Sequence, residues 1–267
     1  MIPFLLSTLR IALPYGLAAS AGLLCELAGV SNLALEGLML CSAFAATVAV
    51  LSTQSVLLGV LVAVALTVTL SVAFVHVSEH YTGEPILLGI AFNMLAAAST
   101  RLLLKIEYDS ASNSPAITED LMTTAPAVFL IAATGLWLRR SVLSRRVLAA
   151  GSAPLALQGQ GLAPLRYRYL AYAMAGVLLA FAGLDLLFGQ QRFTDGMIAG
   201  RGYIAVAAVV FGQKKLKWTL AICALFAAAE ALQLQLQGGS TLPTQLVQSL
   251  PYLLCLLAMT LRAKTTA

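Results

Sequence analysis

Ionisable and amide side chains interrupt apolar sequence at three places: Asn32 with Glu36, Asp195 with Arg201, and Glu230 with Gln233. A charge at the centre of a bilayer costs about 2.5–3.5 kcal/mol on insertion, so such groups face a bundle interior or a water-filled path. Glu230, Gln233 and Gln237 are spaced to share one helical face, and Gln235 falls off it. Such a stripe is either hydrogen-bond glue between helices, the favoured reading, or a wet lining; Asn93, alone in its apolar stretch, reads the same way. The chemistry on offer is recognition and passage of a polar solute, not bond making. No acid–base or nucleophile constellation can be assembled from these residues.

Other chemistries lack their residues. The phosphate-binding pattern G-x-x-x-x-G-K-[ST] does not occur, so ATP binding through that device is not expected of this chain. H-E-x-x-H and G-x-S-x-G are also missing, and His76 and His80 have no metal partner near them in sequence. His76 reads as a helix-end residue near the interface. Cys25, Cys41, Cys223 and Cys255 are scattered through apolar segments and read as packing residues. Neither a metal nor a cofactor is expected.

The elements that must position these side chains are membrane helices. Of 267 residues, 60% are apolar and 10% charged, whereas a soluble domain carries about a quarter charged residues. Apolar stretches at 56–77, 86–100, 125–138, 169–184, 218–229 and 246–261 are long enough to approach a span, and 197–212 is a further crossing. Two shorter ones, 11–25 and 37–51, flank a polar break. Period-2 alternation is missing, which argues against a barrel. The expected fold is all-α: one polytopic transmembrane helical bundle over 1–267, with roughly eight or nine membrane segments and a discontinuous helix. No signal peptide is expected, because no basic cluster precedes the first apolar run.

The charges are sorted along the chain. Arg139, Arg140, Arg145, Arg146, Arg166 and Arg168 fall in a stretch without acids, and Lys214, Lys215 and Lys217 form a second basic loop. Glu107, Asp109, Glu119 and Asp120 gather in a polar segment. The positive-inside tendency puts the basic loops in the cytoplasm and the loop at about 105–122 outside. The C-terminus is then cytoplasmic, and the basic charge is accounted for by topology, with membrane lipid rather than nucleic acid beside it. The N-terminus is outside if the first 80 residues cross three times, and inside if one element is re-entrant. The stretch 139–168 is longer than a minimal helix connection, and 147–162 could form a short surface helix, either docking a protein or lying as a solvated loop.

Two interruptions resemble each other. Residues 26–37 contain Glu26, Gly29, Asn32, Glu36 and Gly37, and split an apolar region into pieces each too short to span comfortably. This reads as a discontinuous helix or as a plain turn. Residues 193–205 contain Asp195, Gly196, Gly200, Arg201 and Gly202. Interruptions at corresponding positions of two halves point to a transporter's central path. Arg201 either lines that path or snorkels to the headgroups.

With these residues in view, the chain resembles permease subunits of bacterial ABC importers of the branched-chain amino acid and simple-sugar superfamily, above all those of nucleoside importers. The family block E-x-x-G-V-x-N-I-G-L-E-G-M-M-L-x-G-A-F is matched at Glu26, Gly29, Val30, Asn32, Leu35, Glu36, Gly37, Met39, Leu40, Ala43 and Phe44, and departs at Leu33, Ala34, Leu38 and Ser42. A later block, F-T-x-G-M-x-A-G-R-G-F-I-A-L-A-A, is matched at Phe193, Thr194, Gly196, Met197, Ala199, Gly200, Arg201, Gly202, Ile204, Ala205, Ala207 and Ala208. Glu230 to Gln237 and Leu250-Pro251-Tyr252 resemble the C-terminal signature.

The resemblance implies that 139–168 carries the coupling helix that docks into an ATPase, through Gly151, Pro154, Ala156, Gly159 and Gly161. It implies a pathway lined by Asn32, Glu36, Asn93, Asp195, Arg201, Glu230 and Gln233. It further implies a second permease subunit, an ABC ATP-binding subunit and an extracytoplasmic solute-binding lipoprotein as partners, in a bacterial inner membrane. The permease would not itself be an enzyme. The cargo would be a small polar solute, a nucleoside or a sugar; the other readings are a branched-chain amino acid permease, an ATP-independent carrier or channel, and a membrane-embedded enzyme.

Overall fold

The computed structural model describes residues 2–81, 84–119 and 121–237. They form α1 (Ile2–Leu27), α2 (Leu35–Thr53), α3 (Val56–His80), α4 (Pro85–Tyr108), α5 (Thr124–Arg140), α6 (Val142–Ser152), α7 (Pro154–Gly159), α8 (Pro164–Gln190), α9 (Arg201–Phe211) and α10 (Leu216–Gln237). Among the described residues there is no strand, only an isolated bridge between Asn113 and Thr194. The all-α bundle is as expected.

The eight or nine membrane segments are not confirmed. Among the described residues, six helices are long and apolar enough to cross a membrane, or seven if α5 and α6, which meet at a 77° bend, count as one span. Of the expected crossings, 246–261 lies outside the described residues. The stretch 197–212 is not a full crossing: Gly196, Ala199 and Gly200 take positive φ and turn the chain, so only the 11 residues of α9 are helical. At 1.5 Å per residue that is about 17 Å, roughly half of the hydrocarbon core.

The first interruption is smaller than its composition suggests. Glu26 and Leu27 remain helical, so α1 has 26 residues and α2 has 19, each of span length. Pro14 is accommodated inside α1. The break is a turn at 28–34, with Val30, Asn32 and Ala34 buried. A turn buried in the bundle replaces the discontinuous helix here; the interrupted element is the one that ends in α9.

Contacts along α8 fix the direction of the first three helices. Arg10 of α1 lies beside Gly189 near the end of α8, whereas Ala28, after α1, packs on Ala171 near its start. Val30, before α2, bonds Tyr172 near the start of α8, and Phe44 within α2 lies edge-on to Phe193 just past the end of α8. Ala46 and Val50 pack on Gly59 across the turn into α3, so α2 crosses α8 while running with it overall. Along α3, Val68 lies beside Gly176, Ser71 bonds Tyr172 and Glu79 pairs with Arg168, so α3 runs against it. Three consecutive helices of span length thus alternate in direction over the first 80 residues, as three crossings would require. Arg10 shares a recess with Met122, Thr123, Asp185 and Gly189, at the end opposite the basic loops. Both basic loops share the other end: Gly151 packs on Leu27, and Lys214 pairs with Glu26 at 3.0 Å.

Burial ranks the helices. In α1, α2 and α8 the apolar window is 67–72% buried, against 22% in α3 and α4. The centre is made by small residues that let backbones approach, as expected where lipid gives helices no hydrophobic reason to associate. A Cβ on Gly176 would stand 2.8 Å from Cα of Val68. Ser42 and Ser71 donate to the carbonyls of Ala180 and Tyr172 at 2.9 and 2.8 Å. The bare flanks of α3 and α4 carry Leu57, Leu61, Leu87 and Met94, exposed side chains suited to hydrocarbon.

Candidate functional site

The two interruptions meet inside the bundle. Glu36, in the first turn of α2, accepts hydrogen bonds from the backbone N–H of Gly200 at 2.8 Å and of Gly202 at 2.7 Å, one on each carboxylate oxygen. These are leading amides of α9, which have no partner within their own helix. A carboxylate is the group that satisfies both those donors and the positive end of the helix dipole. Only glycine fits at Gly202, where a Cβ would stand 2.5 Å from the Glu36 amide nitrogen. Gly200, at φ 80, turns the chain into the helix.

Asn93 on α4 ties the same point from the other side. Its Oδ1 accepts from the Gly37 N–H at 2.7 Å, while Nδ2 donates to the Leu33 carbonyl at 2.8 Å and to the Tyr203 hydroxyl at 2.9 Å. One side chain thus joins α4, the 28–34 turn, α2 and α9. Asn32 works locally: its Oδ1 accepts from the Ala34 N–H at 2.9 Å and shapes the turn.

Arg201 turns inward. Its Nη2 donates to Glu230 at 2.5 Å, and its Nη1 donates to the carbonyls of Met197 and Ile198 at 3.2 and 3.4 Å. The Tyr15 hydroxyl donates to the second Glu230 oxygen at 2.8 Å, and the Tyr15 ring lies 5.9 Å from the guanidinium carbon. The partner acid of Arg201 sits on α10, within the bundle. Glu230 is accordingly half of an ion pair rather than hydrogen-bond glue alone. Gln233, half-buried a turn further on, stays outside this network among the described residues, and the side chain of Gln237 lies outside them.

Asp195 is not brought to this cluster. It pairs with Arg101 of α4, through Nε at 2.9 Å and Nη2 at 2.5 Å, and Arg101 is 63% exposed. Its N–H donates to the Ser112 carbonyl at 2.9 Å, and that of Ile117 donates to the Gln191 carbonyl at 2.7 Å. Asp195 therefore clamps the turn before α9 to the segment after α4. Tyr15, Tyr203 and Arg101 were not singled out from sequence. A tyrosine in an apolar helix carries no local mark of its partner.

The loop residues divide likewise. Pro154 opens α7; Ala156 and Gly159 lie exposed along it, and Gly161 at φ 74 follows. A Cβ at Gly159 or Gly161 would meet open space. Gly151, at the end of α6, packs instead against the 28–34 turn. At the end of α3, His76 bonds the Tyr169 hydroxyl at 2.7 Å and stacks on His80.

A recess of about 730 Å³ opens at the basic end between α1, α5 and α10, lined by Leu23, Ile131, Gly135, Arg139, Lys214 and Trp218. Its volume suits a small molecule, and Arg139, Lys214, Lys215, Lys217 and the buried Ser144 are among its lining residues, but no polar residue of either interruption lines it. The polar network around Glu36 is the better candidate, because it alone brings residues of both interruptions together.

A multi-pass helical bundle whose interior polar groups hold a half-length helix is the architecture of a permease. The chain belongs to the family described as branched-chain amino acid transport system / permease component, whose model matches residues 4–259. It is 29% identical over 255 residues to the putative glucose ABC transporter permease protein TsgC13 of Haloferax volcanii, covering 88% of this chain and 78% of that protein. Identity to the guanosine ABC transporter permease protein NupQ of Bacillus subtilis is 25%, over 95% of this chain and 90% of the relative. For the nucleoside ABC transporter permease protein NupC of Lactococcus lactis it is 26%, over 90% and 86%. Among solved structures, PsaBC from Streptococcus pneumoniae in complex with Fab superposes with a TM-score of 0.59 at 14% identity, covering 96% of this chain and 90% of that one. That likeness is one of fold.

Proposed function

We propose that this chain is the translocation subunit of an ATP-driven importer for a neutral polar solute of the nucleoside or sugar class. The observation that carries the reading is charge balance at the interruptions. Glu36 is satisfied by the start of α9, Arg201 by Glu230, and Asp195 by Arg101. No charge in this network is left over to neutralise an ionic cargo. A zwitterionic amino acid would use unpaired charges or a free helix N-terminus, and that of α9 is already taken by Glu36; a nucleoside or sugar needs hydrogen bonds.

In this reading the membrane is a bacterial inner membrane and the basic end is cytoplasmic, where α7 docks an ABC ATP-binding subunit through the surface of Ala156 and Gly159. A second permease subunit completes the path, and a solute-binding lipoprotein delivers cargo at the far end. ATP hydrolysis belongs to the partner. ATP and solute need only bind the inward- and outward-open states with different affinities. The relatives named for glucose, guanosine and nucleoside transport support the solute class.

The test is uptake of labelled nucleosides, sugars and branched-chain amino acids in a strain lacking only this gene. Loss of nucleoside or sugar uptake, restored by the gene and abolished by depleting ATP, is the expected result. Loss confined to amino acids would overturn the solute class, and uptake by the purified chain alone without ATP would make it a carrier.

A further inference from the structure

Gly151 lies in the docking loop but does not face outward with Ala156 and Gly159. A Cβ on Gly151 would fall on the Leu27 carbonyl oxygen and 2.7 Å from the Gly29 amide nitrogen, and a Cβ on Gly29 would fall 2.6 Å from Cα of Gly151. Backbone meets backbone, with no side chain between. Gly29 also has φ 87, which excludes larger residues a second time. Ala28, Val147, Ala150 and Ala171 are buried around the contact. Arg168 fastens it from α8, donating to the Ala150 carbonyl at 3.4 Å and pairing with Glu79 of α3.

The turn that starts at this contact ends at Glu36, which holds α9. It is braced along its length: the Val30 carbonyl accepts from the Tyr172 hydroxyl at 3.0 Å, Asn32 bonds Ala34, and Asn93 holds Leu33. A long side chain between α6 and the turn would absorb a displacement by changing rotamer. Close-packed backbone passes it on. At the far end the Glu36 backbone lies against Gly202, where a Cβ would stand 2.5 Å from the Glu36 amide nitrogen, so close backbone packing is found at both ends of the path from α6 to the N-terminus of α9.

We propose that Gly29 and Gly151 form a joint through which movement of α6 and α7 is passed to the 28–34 turn and so to α9. They are positioning residues for transport, not docking residues. The proposal rests on the importer reading above, since it needs a motor that moves α7.

The test uses the complete transporter with its ATP-binding and partner subunits. Gly151→Ala is expected to keep the ATP-binding subunit bound and ATP hydrolysis running, while uptake per ATP falls by about tenfold or more, within the range of typical coupling energies. Uptake per ATP equal to wild type would overturn the joint. If Gly151→Ala does not accumulate, hydrogen exchange on the wild-type complex decides: ATP binding is expected to change protection at 28–34 together with 154–159. A change at 154–159 with none at 28–34 would overturn it. A wild-type chain that retains no ATP-binding subunit would instead sink the importer reading, a result visible before any variant is made.

Discussion

The turn at 28–34 and the turn before α9 are built from the same kinds of residue and held in opposite ways. The first is buried and stitched by neutral groups: Tyr172, Asn93 and the glycine contact with α6. The second is clamped by charge, through Arg101 on Asp195 at the far end and Glu230 on Arg201 within the bundle. Amide and backbone bonds fix a piece of chain at short range and in one geometry. Ion pairs tolerate some displacement while keeping their partner. The first turn is therefore the rigid side of the site, and the half-helix α9, reached through Glu36, is the side whose ion pairs leave it room to be displaced.

Removing one member of the inner pair should have the largest effect. Glu230→Leu leaves Arg201 buried without its partner, at a cost of about 3–5 kcal/mol. The expected outcome is poor accumulation in the membrane and a lowered thermal unfolding midpoint in detergent. Adding Arg201→Met should restore much of the loss, because an apolar pair of similar volume avoids the stranded charge. A single variant as stable as wild type would remove the distinction between the inner pair and a surface one.

Glu36→Ala should come next. It strips two charge-assisted bonds from the start of α9, a loss of about 1–3 kcal/mol, and is expected to impair uptake at near-normal expression. Glu36→Gln keeps one acceptor oxygen and should be intermediate. Normal uptake by the alanine variant at normal expression would reduce Glu36 to filler.

Asp195→Asn should matter least. Its partner Arg101 is largely exposed, and such pairs contribute about 0–1 kcal/mol. Little change in unfolding midpoint is expected, with any effect of the wild-type pair fading as salt is raised. If Asp195→Asn destabilised the protein as much as Glu230→Leu, the contrast between outer clamp and inner pair would collapse.

Much of this was legible in the residues, for identifiable reasons. Apolar runs located α1 to α5, α8 and α10 because lipid selects composition over whole helices. The sorting of arginines and lysines put 139–168 and 214–217 at one end, where both now meet Glu26 to Gly29. Hydropathy misjudged 197–212, because it counts apolar side chains and is blind to the positive φ of Gly196, Ala199 and Gly200. It also let the polar 26–37 segment shorten two helices that in fact run to span length. The contact of Glu36 with Gly200 joins residues 164 apart, and Tyr15 with Glu230 joins residues 215 apart. No local spacing reports such distances, so the polar residues could be recognised as unusual but not assigned partners. Asp195 was grouped with Arg201 by proximity in sequence, and the chain turns between them.

The pairing of Arg201 with Glu230 bears on the electrical side of transport. Each unit charge moved through a membrane potential takes or yields about 2.3 kcal/mol per 100 mV. An arginine that keeps its own glutamate moves no net charge through that field, and the neutral cargo proposed above adds none. Under the importer reading, uptake is expected to draw no current and to run at the same rate whether the membrane is polarised or collapsed.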